Sequence, residues 1–371
     1  MNRRISFVCA TALALLSAGA LAEEPKPELF ERGPAVKRAA EKAEKRLANL
    51  RQLTFGGENA EAYWSFDEKH LVFQARPNRA AADQIYVMDA NGGGKTLLST
   101  GHGRTTCSYF LPGDKQILYA STHGAGKEPP PPPDRSRGYV WALYPSFNIY
   151  VCDRDGKNTK PLLTSPAYDA EATVSPAGDR IVFTSTRDGD IELYSCKLDG
   201  SDVVRLTNRP GYDGGAFFSW DGKKIVWRAP GAELDLSKTD YKTLLRQHIV
   251  RPNKLEIWTM NADGSDKRQI THRDRASFAP FWHPDNRRII YSSNIGEPRR
   301  GSFELFLVDT ESGDTERVTF FERVREGAHR ADDFDGFPMF TRDAKRLVFC
   351  SNRFNAKPNE TNVFVADWQG E

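Results

Sequence analysis

The chain has 371 residues, with 52 Lys and Arg against 50 Asp and Glu and a formal net charge of +2. That balance excludes the basic excess expected of a nucleic-acid binder. An apolar content of 39% is enough for a large core, and no segment after the first 22 residues is apolar enough to span a bilayer.

Residues 1–22 read as a secretory signal peptide. Arg3 and Arg4 form a basic start, Ile5 to Leu16 is mostly apolar, and Ala20-Leu21-Ala22 is a small-residue cleavage site. Cleavage near Ala22 removes Arg3 and Arg4 and no acid, so basic and acidic side chains become equal in number. The expected location is periplasmic or secreted. Residues 23–50 read as a short extension with a polar helix over 34–49.

A short cassette then recurs six times. Its centre is a turn followed by an apolar strand, as in Pro176-Ala177-Gly178-Asp179 before Arg180-Ile181-Val182-Phe183. The same unit surrounds Leu71-Val72-Phe73, Ile117-Leu118-Tyr119, Ile225-Val226-Trp227, Ile289-Ile290-Tyr291 and Leu347-Val348-Phe349. Self-similarity at this spacing marks a propeller. Each unit supplies four strand-like parts, and Asn91-Gly92, Asp155-Gly156, Asp199-Gly200 and Asp263-Gly264 are hairpin turns between the last two.

The sixth unit ends at Trp368-Gln369-Gly370 without an outer strand, while an unattached one, Arg51-Gln52-Leu53-Thr54, precedes the first. The expectation is an all-β, six-bladed propeller over 51–371, closed by the N-terminal strand in the last blade. Insertions are expected at 124–147, which holds Pro129 to Pro133, at 229–253, where Ser237 and Asp240 suggest a capped helix, and at 321–333. Cys152 and Cys196 hold equivalent places in two units, where Met88 and Met260 stand in others. That favours free, buried cysteines over disulfides.

The Pro/Asp-Gly turn, the Ile-Tyr third strand and the Leu-Thr outer strand resemble the TolB-like β-propeller repeats over about residues 51–368. The resemblance implies a WD-like ring and a periplasmic role in protein binding within the cell envelope. Only Glu23 to Leu50 precede the ring, too few residues for the α/β domain that accompanies the TolB propeller, so a stand-alone propeller is expected.

Candidate ligand-binding residues are the charged groups leading into the first strands, at the channel mouth: Glu61, Arg104, Asp169, Glu171, Asp213 and Asp335. Such a ring suits a cation or the basic or amino-terminal group of a peptide. The competing assignment is that these acids hold turns between blades. Tyr139, Trp141 and Tyr144 form a second candidate surface in the proline-containing insertion. No catalytic residues are assigned: the sequence has no G-x-S-x-G elbow, Walker A loop, Rossmann fingerprint or H-E-x-x-H pair.

The expected function is a non-catalytic scaffold, a monomer without cofactor, that binds an envelope protein, peptide or glycan. The alternative is a metal-assisted polysaccharide lyase or hydrolase with a divalent cation in the channel. His123 and His283 are its candidate metal ligands.

Overall fold

The computed structural model describes residues 35–78, 80–136, 138–295, 302–320 and 333–370. The signal-peptide stretch and most of the 321–333 insertion lie outside these residues.

Six antiparallel sheets of similar build surround one axis. The inner, second, third and outer strands of blade 1 are Glu58–Trp64, His70–Arg76, Gln84–Asp89 and Thr96–Leu97. Blade 2 has Thr105–Phe110, Gln116–Ser121, Asn148–Asp153 and Lys160–Leu163. Blade 3 has Asp169–Val174, Arg180–Ser185, Glu192–Lys197 and Val204–Arg205. Blade 4 has Gly214–Phe218, Lys224–Pro230, Leu255–Asn261 and Arg268–Gln269, and blade 5 has Ser277–Trp282, Arg288–Ser293, Glu304–Asp309 and Thr315–Arg317. The second strands are apolar in succession because each is covered on both faces by neighbouring blades. Leu71, Val72 and Phe73 in blade 1 and Leu347, Val348 and Phe349 in blade 6 are all fully buried.

Blade 6 takes three strands from the end of the chain, Asp335–Phe340, Arg346–Ser351 and Asn362–Trp368, and its fourth from the start, Leu47–Gln52. Arg51 pairs with Val365 and Gln52 with Phe364, and the Leu53 N–H donates to the Val363 carbonyl at 2.8 Å. The ring is therefore closed as the unpaired outer strand implied.

The closing strand starts four residues earlier than read. Instead of a helix, residues 35–50 supply the turns around 41–46, the strand from Leu47 and a two-residue strand, Val36–Lys37, paired to Gln52 and Arg51. Burial of Leu47 and Leu50 in the sheet outweighs the helix propensity of the charged stretch before them. Glu44 in this segment is buried and accepts from Arg353 at 3.0 and 3.2 Å, and Arg353 also donates to Asp335 at 2.9 Å. The Phe320 N–H donates to the same Glu44, which ties blade 5 to blade 6.

The end of the ring where the chain runs into the inner strands is called the upper face. Both described insertions rise from it, since each joins a second strand to a third. Trp141–Ala142 from blade 2 pairs with Ile249–Val250 from blade 4, forming a two-stranded cap above blade 3. Leu143, Phe147, Tyr168, Ile191, Tyr212, Tyr241 and Val250 make a core beneath it. The helix in the second insertion is only Tyr241–Leu245. The expected cap residues do not act as such: Asp235 accepts from the Ser237 N–H and caps a preceding 3-10 turn, while Asp240 makes no side-chain cap.

Leu53 is the closure's most informative residue, being wholly buried beside the seam. Leu53→Ala is expected to cost about 2–5 kcal/mol, read as a lower urea midpoint with unchanged slope.

Candidate functional site

Every inner strand carries a β-bulge at the same place. The register against the second strand slips between Ala60 and Tyr63, and at the equivalent point in the other five blades. One residue per bulge has positive φ: Glu61 (53°), Cys107 (50°), Glu171 (55°), Gly215 (62°), Ala279 (49°) and Phe337 (55°). Five of the six are not glycine, so the ring holds a conformation that costs each L-residue of order 1–2 kcal/mol. A bulge re-aims its side chain. Here the re-aimed groups turn toward the axis: Glu171 of blade 3 accepts from the Gly215 N–H of blade 4 at 2.9 Å, and Glu61 and Cys107 lie near enough to influence one another.

Two residues further down each strand is a second ring: Tyr63, Tyr109, Thr173, Phe217, Phe281 and Met339, each between 4% and 8% exposed. Tyr63 of blade 1 meets Phe217 of the opposite blade 4 edge-on at 5.4 Å, and Phe217 meets Phe281 at 5.2 Å. Contact between opposite blades closes the channel at this level. Beneath it, a cavity of about 40 Å³ lined by Trp64, Phe66, Trp220 and Arg342 has room for a few waters. Above this level Glu61, Cys107, Glu171 and Phe337 are only partly buried, so among the described residues the channel is a funnel on its upper side.

The polar side of the funnel is a connected network. Glu171 accepts from Thr184 Oγ1 at 2.7 Å, Tyr212 Oη at 2.9 Å and the Gly215 N–H at 2.9 Å, and pairs with Arg228. Arg228 also donates to Tyr212 at 2.7 Å and lies under the Trp141 ring of the cap, 5.1 Å from its centroid. A Cβ on Gly215 would collide with Nη1 of Arg228. The guanidinium thus occupies the place that a blade 4 bulge side chain would fill.

Burial pushes the Glu61 carboxyl up to about 7, against the opposing influence of the neighbouring Cys107 thiol. Burial first, and then the nearby Glu61 and Glu171, hold the Cys107 thiol well above its ordinary range, the opposite of an activated nucleophile.

The opposite side is apolar. Phe278, Phe303, Phe334 and Phe337 of blades 5 and 6 are half-buried and mutually in contact, with centroids 5.0 to 6.4 Å apart.

Glu61 and Glu171 thus share the axis. Arg104 stands at the rim, paired with Asp83 at 3.2 Å. Asp169, Asp213 and Asp335 are buried between strands, not in the funnel. Asp169 takes Arg187 at 3.0 Å and Ser165 at 2.7 Å, Asp213 takes Trp227 Nε1 at 2.6 Å, and Asp335 takes Arg353. Burial pushes the Asp213 carboxyl up to about 8. Of the insertion aromatics, Trp141 reaches the site, Tyr139 is exposed, and Tyr144 donates to the Pro131 carbonyl.

His123 follows the second strand of blade 2 at the upper face, bonded to Ser121 at 2.7 Å. His283 begins the turn after the inner strand of blade 5, 3.1 Å from Asp285, at the lower face. The ring does not bring these two together. Among the described residues, no group of three His, Cys, Asp or Glu side chains is placed to hold a metal.

Reading the sequence missed Cys107, Arg228, Gly215 and the phenyl shelf. The signal for the bulge ring was available. Its members stand six residues before Asp67, Gly113, Ala177, Asp221, Asp285 and Asp343 of the six turns.

Two outcomes follow from this geometry. The Glu61 carboxyl titrates higher in the fold than in the unfolded chain, so the native state binds the extra proton. Stability from this group is present at low pH and falls as pH rises from about 4.5 through about 7. Glu61→Gln should remove that slope, gaining of order 2 kcal/mol on the wild type between pH 5 and pH 8 in denaturant titrations. Gly215→Ala should cost at least about 1 kcal/mol, through its positive φ and the displaced Arg228, in the same measurement.

No family model matches the chain. It is 41% identical over 58 residues to dipeptidyl-peptidase 5 of Porphyromonas gingivalis, a match spanning 15% of this chain and 8% of that protein. Among solved structures it is similar to a putative TolB from Agrobacterium tumefaciens, at 17% identity and a TM-score of 0.53, covering 86% of this chain and 92% of that one. TolB from Acinetobacter baumannii matches at 16% identity and a TM-score of 0.52, covering 76% and 62%. An oligogalacturonate lyase from Vibrio parahaemolyticus matches at 12% and 0.50, covering 91% and 98%. At these identities the likeness is one of fold, and the fold of this chain is the six-bladed propeller of the TolB-like kind.

Proposed function

We propose that the protein is a non-catalytic binding scaffold of the cell envelope, a monomer in the periplasm or outside the cell. It holds a protein, peptide or glycan in the upper funnel. The observation that carries this reading is the funnel itself, blocked below by the aromatic ring and lined above by half-buried polar and phenyl side chains.

The state of its polar groups supports binding over turnover. Glu171 is committed to four partners, and the Cys107 thiol is held protonated. A general base needs a free lone pair near the proton it removes, and a thiol nucleophile needs a lowered pKa. The similarity of this fold to TolB structures supports an envelope role.

The test is a photo-crosslinking amino acid placed at Phe334, on the funnel wall, and separately at Val204, exposed on the outer strand of blade 3. In cells making the full chain, adducts with an envelope component are expected at Phe334 and not at Val204, and chelation with EDTA is expected to leave them unchanged. Adducts only at Val204, or turnover of a polysaccharide by the purified protein, would overturn the reading.

A further inference from the structure

Resting on that binding reading, we propose that the funnel selects one kind of ligand group: an ammonium carried on a large apolar body, seated between Glu61 and the phenyl shelf of blades 5 and 6.

The charges at the bulge level decide the sign. Arg228 and Glu171 neutralise one another, and Glu171 is filled by its hydrogen bonds. At the rim, Asp83 lies between Arg104 at 3.2 Å and Arg76 at 3.8 Å, and Arg76 also holds Glu58 at 2.6 Å. Glu61 is different. The Cys107 thiol is its near neighbour, and no ion pair to it is formed among the described residues. The groups that face it are Cys107 from blade 2, Glu171 from blade 3, Arg228 from blade 4, Asp83 from its own blade, Tyr63 beneath and Cys350 from blade 6. Within this set Glu61 alone is a carboxyl without a cationic partner. A bound ammonium would take the place of its proton.

The neighbouring wall fixes the rest of the ligand. Phe337 holds the next position in the ring, and Phe334, Phe278 and Phe303 continue from it. Phenyl faces attract an organic cation and bury apolar surface, but they offer no hydrogen bond to a sugar hydroxyl. Ala279 adds only a methyl at the same level, while the place beside Gly215 is filled by the Arg228 guanidinium. An amine with an aromatic or branched body satisfies both walls. An anionic ligand is repelled by the carboxyl, and a neutral one forgoes the charge interaction.

The experiment titrates the full chain by NMR with phenethylamine, with N-acetylphenethylamine, which lacks the charge, and with 3-phenylpropionate, which reverses it. Saturable binding of the amine is expected, with the other two at least about tenfold weaker. Glu61→Gln and Phe334→Ala should each weaken amine binding by about tenfold while both variants keep the wild-type spectrum away from the funnel. Because the ammonium displaces a proton, affinity should rise by up to about tenfold between pH 6 and pH 8 in the wild type and stay flat in Glu61→Gln. Tighter binding of 3-phenylpropionate, lost in Arg228→Met, would overturn the proposal in favour of an anion site. Equal affinity in Glu61→Gln would overturn it outright. Crosslinks at Phe334 without saturable amine binding would leave the scaffold standing and sink this inference alone.

Discussion

The pairing of Leu47–Gln52 with Asn362–Trp368 is the contact on which the rest depends. A single blade has two apolar faces and cannot bury either by itself. Six blades in an open arc would still leave two faces and two sheet edges exposed, and exposed edges recruit other chains. Drawing the last blade's outer strand from the opposite end of the chain removes all four liabilities in one step. Its long-range register makes the fold slow to assemble, since loop closure across the whole chain must precede its reward. The buried Glu44–Arg353–Asp335 group then reinforces the seam from the same N-terminal segment. Such a group is costly to desolvate, and removing one member would strand the others.

Once the ring is closed, geometry fixes what the axis contains. Six inner strands converge, each with one bulge, and the bulge sets two levels. Residues just below it, large and mostly apolar in every blade but the third, meet across the axis. Residues in it are turned inward by a left-handed backbone, at a cost no isolated strand would bear. The left-handed conformation is repeated in all six blades, so it belongs to the architecture. What varies is the side chain it presents. Carboxyl, thiol, carboxylate, a borrowed guanidinium, methyl and phenyl follow one another around the ring, and this makes a symmetric frame chemically lopsided.

The frame was legible in the sequence because turns and buried strands carry strong local signals. Pro or Asp-Gly before three apolar residues recurs with little noise, and the missing outer strand at one end matches the spare one at the other. The site was legible only in part. Glu61 and Glu171 belong to the bulge, but Asp169, Asp213 and Asp335 lie two residues earlier, aligned with Asn59 and Ser277. An extra residue in a strand breaks the period-two alternation by which faces are assigned, so acids from two positions merged into one apparent ring. Arg228 was hidden for another reason. It continues the run Ile225-Val226-Trp227 and lines the funnel only because Gly215, thirteen residues earlier, has no side chain to obstruct it. The charged stretch before Leu47 favours helix locally, and tertiary burial overrides it.

The cap and the funnel are mechanically one unit. Tyr212 is a core residue beneath the two-stranded cap, and its hydroxyl also bridges Glu171 and Arg228. Trp141, from the cap strand itself, packs on both the Tyr212 ring at 5.8 Å and the Arg228 guanidinium. Movement of the cap therefore cannot occur without disturbing the partners that hold Glu171. The insertions of blades 2 and 4 meet over blade 3, which supplies Glu171, while blades 5 and 6 supply the phenyl shelf outside that span. The polar network is therefore held from above by the cap, while the phenyl shelf stands beside it.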